Sequence, residues 1–183
     1  LAARSLEHLS EASAISLNML LGLVINPISG MGGAVGLKGT DGQEALSEAI
    51  RRGAKPVAGS RMREMLSHLP SIDGLSFLTG GGPMGEDLLK ELGLRHEVVH
   101  SSAHPSAQDT KACCVIFRER EVKCITFAGG DGTARDVMDA IDEMVPVIGI
   151  PSGVKMHSAV FANTPREASV LLSRFITSGL PLR

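Results

Sequence analysis

Five short apolar runs, each separated from the next by a helix-length stretch, leave this chain few folds to choose from. They fall at residues 21–26, 75–79, 97–100, 123–128 and 145–150. Several are nearly continuous in Leu, Ile, Val and Phe, as expected of strands covered on both faces. Between and after them the spacing predicts helices over 42–52, 60–68, 85–92, 107–118, 133–143 and 165–178. In the helix after the fourth run, Val137, Met138 and Ile141 form an apolar stripe, with Asp136, Asp139, Asp142 and Glu143 outward. Strand and helix in alternation predict an α/β fold, a parallel-rich sheet flanked by helices. Residues 1–19 read as an N-terminal extension with a helical pattern, and residues 20–183 as the α/β domain.

Composition narrows the function classes. Trp and Tyr are absent and Phe occurs 5 times in 183 residues, so the core must come from Leu, Ile, Val, Ala and Met. With 18 basic against 20 acidic residues there is no field for gripping nucleic acid or an anionic membrane, and neither is an expected partner. The longest apolar run, residues 19–25, is too short to cross a bilayer. Glu7 and Glu11 argue against a transit peptide and a basic signal region. Cysteines are odd in number, and Cys113 and Cys114 are adjacent on a predicted helix. That pattern suits small buried apolar residues in a reducing, cytoplasmic setting better than a disulfide framework.

Glycine is the informative excess: 21 of 183, about 11% against a usual ~7%. Seven lie in residues 22–42, four in 80–85, three in 129–132 and two in 149–153, where predicted strands end. The C-terminal edge of a parallel sheet is where ligands bind, and glycine lets backbone approach a phosphate closely. The sharpest element is Gly129-Gly130-Asp131-Gly132-Thr133, between a predicted strand and the helix opening near Ala134. Its glycines leave N–H groups free for a phosphate, and the helix N-terminus adds positive potential. Thr133 can cap the helix or touch a phosphate. Asp131 is a carboxylate where a phosphate would sit, which suits a proton acceptor or a metal-linked group. The simpler alternative is a Gly-Asp-Gly turn with Asp131 as an Asx-type residue.

These residues resemble the superfamily of NAD kinases, diacylglycerol and sphingosine kinases and phosphofructokinases. Asn26-Pro27-Ile28-Ser29-Gly30 is similar to an Asn-Pro-x-Ser-Gly element in several of these kinases. Its continuation through Met31, Gly32 and Gly33 to Asp41 resembles the ATP-NAD kinase branch that also holds AcoX-like proteins, as do residues 79–86 and 150–158. The resemblance implies the fold of the NAD kinase N-terminal domain. It implies phosphoryl transfer from ATP, or polyphosphate, with Mg²⁺, to the 2′-hydroxyl of NAD, giving NADP. Small-molecule nucleotides are then the partners. Asp131 matches the aspartate proposed to activate the acceptor hydroxyl. Gly129, Gly130, Gly132 and Thr133 match the phosphate cradle, and Asn26, Ser29, Gly30, Gly32 and Gly33 the facing loop. Gly81, Gly82, Ser152, Gly153 and Lys155 are secondary candidates, Lys155 as a phosphate neutraliser or a solvated loop lysine. Gly32 is expected to need positive φ.

The same resemblance leaves two rivals, a kinase of a lipid or small-metabolite acceptor and an AcoX-like nucleotide-binding protein without turnover. A dehydrogenase is disfavoured, because the first loop lacks G-x-G-x-x-G spacing after its strand. No protein metal site is expected: His100 and His104 lie four apart, but in a loop with Ser101, Ser102 and Pro105. Asp109 is a helix-capping candidate. NAD kinases carry an Asn-acidic pair for the acceptor, whereas Asn163 is followed here by Thr164. The start at Leu1 and the end at Arg183 suggest a fragment without the family's β-rich C-terminal domain. Such a piece is expected to bind ATP weakly, to make no NADP, and to form a homo-oligomer through uncovered apolar surface.

Overall fold

The computed structural model describes residues 19–36, 43–142, 144–153 and 156–178. Lys155 and all but the last residue of the expected extension lie outside them. The strands are β1 (Met19–Ile25), β2 (Leu75–Gly80), β3 (His96–His100), β4 (Ile125–Gly129) and β5 (Val147–Pro151). The helices are α1 (Met31–Ala34), α2 (Gln43–Arg51), α3 (Ala58–Ser67), α4 (Glu86–Glu91), α5 (Ala107–Glu119), α6 (Asp131–Ile141) and α7 (Pro165–Ser178). All pairings are parallel, in the order β3-β2-β1-β4-β5. The chain is therefore the α/β fold with a parallel sheet that the alternation predicts.

The apolar runs look continuous because both sheet faces are covered. Leu21, Leu23 and Ile25 of β1 pack with Met62 and Met65 of α3, Leu89 of α4 and Leu172 and Ile176 of α7. Val24 faces the other side, with Cys113 and Phe117 of α5 and Val137 and Ile141 of α6. Gly22 faces Phe117, where a Cβ would come within 2.6 Å of the ring. Gly149 does the same for Phe161. Two of the glycines grouped with the strand ends are thus packing positions inside strands. Burial raises the thiols of Cys113 and Cys124 to about 12 and that of Cys114 further, so all three are inert core residues, free of disulfides.

Two local features differ from the sequence reading. α6 starts at Asp131, with Gly130 as its N-cap, so Asp131 and Gly132 are helical and Thr133 is not the cap. The first loop contains the single turn α1, which puts Gly32 in helix. The positive φ of that segment falls on Gly30 (+83°) and Gly36 (+76°) instead. The expected acidic face of α6 is partly paired, because Lys111 of α5 reaches Asp136 and Asp139 and Arg118 reaches Asp142. Among the described residues, no helix is long and apolar enough to cross a membrane.

Candidate functional site

The sheet reverses its winding between β1 and β4. From β1 the chain moves outward to β2 and β3, then returns through α5 to β4 on the other side of β1. In open α/β sheets the crevice beyond such a switch point holds the ligand. Here it is bounded by the loop from Asn26 to Gly30 and the start of α6.

Hydrogen bonds knit three loops at this edge. The Asn26 side-chain amide donates to the Thr133 hydroxyl at 2.9 Å, and its carbonyl accepts from the Ile28 backbone at 3.2 Å. Both ends of that side chain brace the site. The hydroxyls of Ser29 and Ser152 meet at 2.7 Å in a buried pair, and Ser152 N–H donates to the Gly129 carbonyl at 3.0 Å. Ser152 thereby ties the loop after β5 to those after β1 and β4. A Cβ on Gly30 would strike the Ser152 carbonyl oxygen, and one on Gly129 would strike the Thr133 side chain. Those two glycines are needed by the protein's own packing.

Gly130 and Gly132 differ. A Cβ on Gly130 would meet only the Ser29 hydroxyl, at 3.5 Å, and one on Gly132 would meet nothing within 4 Å. The N–H groups of Asp131, Gly132 and Thr133, the first of α6, have no acceptor among the described residues. A helix start leaves such donors for an outside partner, and the helix dipole favours an anion there. Gly32 and Gly33 lie in α1 beside this edge. Gly153 is exposed after β5. The glycines of residues 80–85 answer to neighbours: a Cβ on Gly81 would strike the Ser101 hydroxyl, and Gly82 donates to Glu86 at 2.8 Å.

Asp131 does not stand free. Its carboxylate accepts from the backbone N–H groups of His157 and Ser158 at 3.1 and 2.9 Å and from the Ser158 hydroxyl at 2.9 Å. Hydrogen bonding to the charged form, most of all from the Ser158 backbone, holds its carboxyl below the usual aspartate value. Beside it lies an open cleft of about 490 Å³ lined by Asp131, Ala134, Arg135, Met138, His157, Ser158 and Val160. Arg135 is not among the candidate residues of the sequence, and Met138 enters only as part of the apolar stripe of its helix. A signal existed in their spacing, since positions four and seven after Asp131 share its helix face. Among the described residues, no group of three His, Cys, Asp or Glu side chains is placed to hold a metal ion.

His100 and Asp109 belong elsewhere, at the start of α5. The Asp109 carboxylate lies 2.7 Å from His100 Nε2 and accepts from the Ser106 backbone and hydroxyl at 2.8 and 2.6 Å. The His100 hydrogen bond, then those of Ser106, lowers its carboxyl from 3.8 to about 2. A depressed folded-state value stabilises the fold above the unfolded value, and that support is lost as pH falls through the folded one. The advantage of the wild type over Asp109→Asn in thermal unfolding should therefore shrink as pH drops from 3.8 towards 2. A gap independent of pH across that interval would refute the assignment.

Fold and site together define an α/β domain with an all-parallel sheet and an open crevice at its switch point. Residues 21–180 match the family model of the ATP-NAD kinase N-terminal domain, and the chain belongs to that family of kinases. No curated protein and no solved structure matches it.

Proposed function

We propose that this domain binds the donor nucleotide of an NAD kinase and presents its terminal phosphoryl group to the 2′-hydroxyl of NAD. The carrying observation is the start of α6, where three N–H groups without an acceptor among the described residues and the open sides of Gly130 and Gly132 lie beside the Asp131 carboxylate. Family membership supports a nucleotide as the ligand. ATP, or polyphosphate, supplies the oxygens that those donors take up. The Asn26–Thr133 bond holds the loop after β1 against the start of α6, and the Ser29–Ser152 pair holds it against the loop after β5, which together brace the cradle.

In the transfer, the acceptor O2′–phosphorus bond forms as the bond to the leaving phosphate oxygen breaks. The hydroxyl proton passes to Asp131 Oδ, which releases it to water afterwards. The rest of catalysis is positioning and charge stabilisation. The donor set fits Mg²⁺ as an ion carried by the nucleotide's own oxygens, with Asp131 the nearby carboxylate. Bound there, Mg²⁺ neutralises charge on the triphosphate.

The test is Gly132→Ala. A helical Gly→Ala change gains about 0.5–1 kcal/mol of stability where nothing obstructs the new methyl. The same methyl points back towards the helix N-terminus, into the space a phosphate oxygen would use. We expect a raised unfolding midpoint together with an ADP affinity about tenfold weaker, the worth of one charge-assisted hydrogen bond. Equal calorimetric affinity in both proteins would remove the cradle.

A second reading has one observation in its favour. The three donors on Asp131 lower its basicity, which suits an AcoX-like protein that binds nucleotide without turnover. Single-turnover transfer from labelled ATP to NAD separates the two.

A further inference from the structure

The cleft beyond Asp131 has a chemistry that the cradle does not use. Its floor is apolar, from Ala134, Met138 and Val160, and its rim carries Asp131, Arg135 and His157. A concave apolar surface with a few converging polar groups is the usual form of a small-molecule site, and its volume of about 490 Å³ is within the ordinary range. Arg135 is exposed and makes no hydrogen bond or ion pair among the described residues. It stands one helical turn after Asp131 on α6, yet the carboxylate is taken up by residues 157 and 158 instead. The guanidinium is thereby left available to an anion in the cleft.

We infer that this cleft receives the nucleoside phosphate portion of the acceptor and that Arg135 grips its phosphate. The inference rests on the reading of the previous subsection and deepens it. If the donor phosphates lie at the start of α6, the acceptor hydroxyl must approach the Asp131 carboxylate from another side, and the cleft opens directly beside that carboxylate. The apolar floor accommodates the planar and ribose parts of a nucleotide. A guanidinium is the natural partner for its phosphate, because its planar fork matches two phosphate oxygens. Arg135 is in this sense a specificity residue. It selects acceptors that carry a phosphate and takes no part in proton transfer.

The experiment titrates wild type, Arg135→Gln and Arg135→Lys with NAD, with adenosine and with ADP by calorimetry, and records each unfolding midpoint. NAD binding should weaken about tenfold in the Gln variant and recover in part with Lys. Adenosine, which has no phosphate, should bind the three proteins alike, and ADP affinity and midpoints should not change. Unchanged NAD affinity in Arg135→Gln would overturn the inference. So would equal losses for NAD and adenosine, or a loss for ADP, which would put Arg135 on the donor. If the wild type binds ADP but not NAD, the acceptor assignment of the cleft falls and the donor cradle stands. If it does not bind ADP, the cradle reading itself falls.

Discussion

In a full-length enzyme, Asp131→Asn is expected to lower NADP formation by about 10²–10⁴-fold, the usual cost of removing a general base. ADP affinity should not fall, because the cradle's donors are backbone N–H groups. The structure adds a complication that the experiment must separate. Asp131 also accepts hydrogen bonds from residues 157 and 158, and an amide turns a donor towards at least one N–H that the carboxylate satisfied. Ser158→Ala is the control. It removes one hydroxyl donor from the carboxylate and leaves the backbone donors. If Asp131 is the proton acceptor, Ser158→Ala keeps turnover within a few-fold of wild type while Asp131→Asn abolishes nearly all of it. If Asp131 only anchors the loop after β5, both variants lower the unfolding midpoint and turnover survives in both. That second outcome would leave the kinase mechanism without its base.

What could be read from the sequence followed from strictly local rules. β1, β2, β4 and β5 and the helices from α2 onward were legible because the sheet is covered on both faces there, whereas β3, with Glu97 exposed, is only part apolar and the single turn α1 gave no signal. The placement of Asp131 and Gly132 inside α6 was less legible. A Gly-Asp-Gly run suits a turn as well as a first helical turn, and the start of α6 is braced by Asn26, from a loop far away in sequence, through the Thr133 hydroxyl. The Ser29–Ser152 contact and the hold of residues 157 and 158 on Asp131 were invisible for the same reason. They join segments that only the β1–β4–β5 order brings together. Glycine content misled in one respect. It pointed to the C-terminal edge of the sheet, but Gly22, Gly30, Gly129 and Gly149 serve close packing within the chain, whereas Gly130 and Gly132 have open space beside them.

That division of labour makes Gly30→Ala the largest expected change in stability. Gly30 has φ +83°, where a Cβ costs about 1–2 kcal/mol from backbone sterics alone. The added methyl would also run into the Ser152 carbonyl oxygen, a backbone atom that cannot rotate away. Relieving that clash means moving the loop after β5. The movement breaks the 2.7 Å Ser29–Ser152 pair and strains the 3.0 Å bond from Ser152 to Gly129. Overpacking of this kind adds about 1–3 kcal/mol. The two terms together are about 2–5 kcal/mol, a fall of roughly 4–20 °C in the unfolding midpoint of a domain this size. Gly36 separates the terms. Its φ is +76°, but a Cβ there would meet nothing within 4 Å, so Gly36→Ala carries the backbone cost without the clash. Thermal unfolding of the two variants side by side should show Gly30→Ala as clearly the less stable. Nucleotide binding should weaken in Gly30→Ala even below its midpoint, since the loop that moves is tied through Ser152 to the wall of the cradle. Equal destabilisation of the two variants would mean that the loops after β1 and β5 are not in contact as described. The cradle would then have to be built without Ser152.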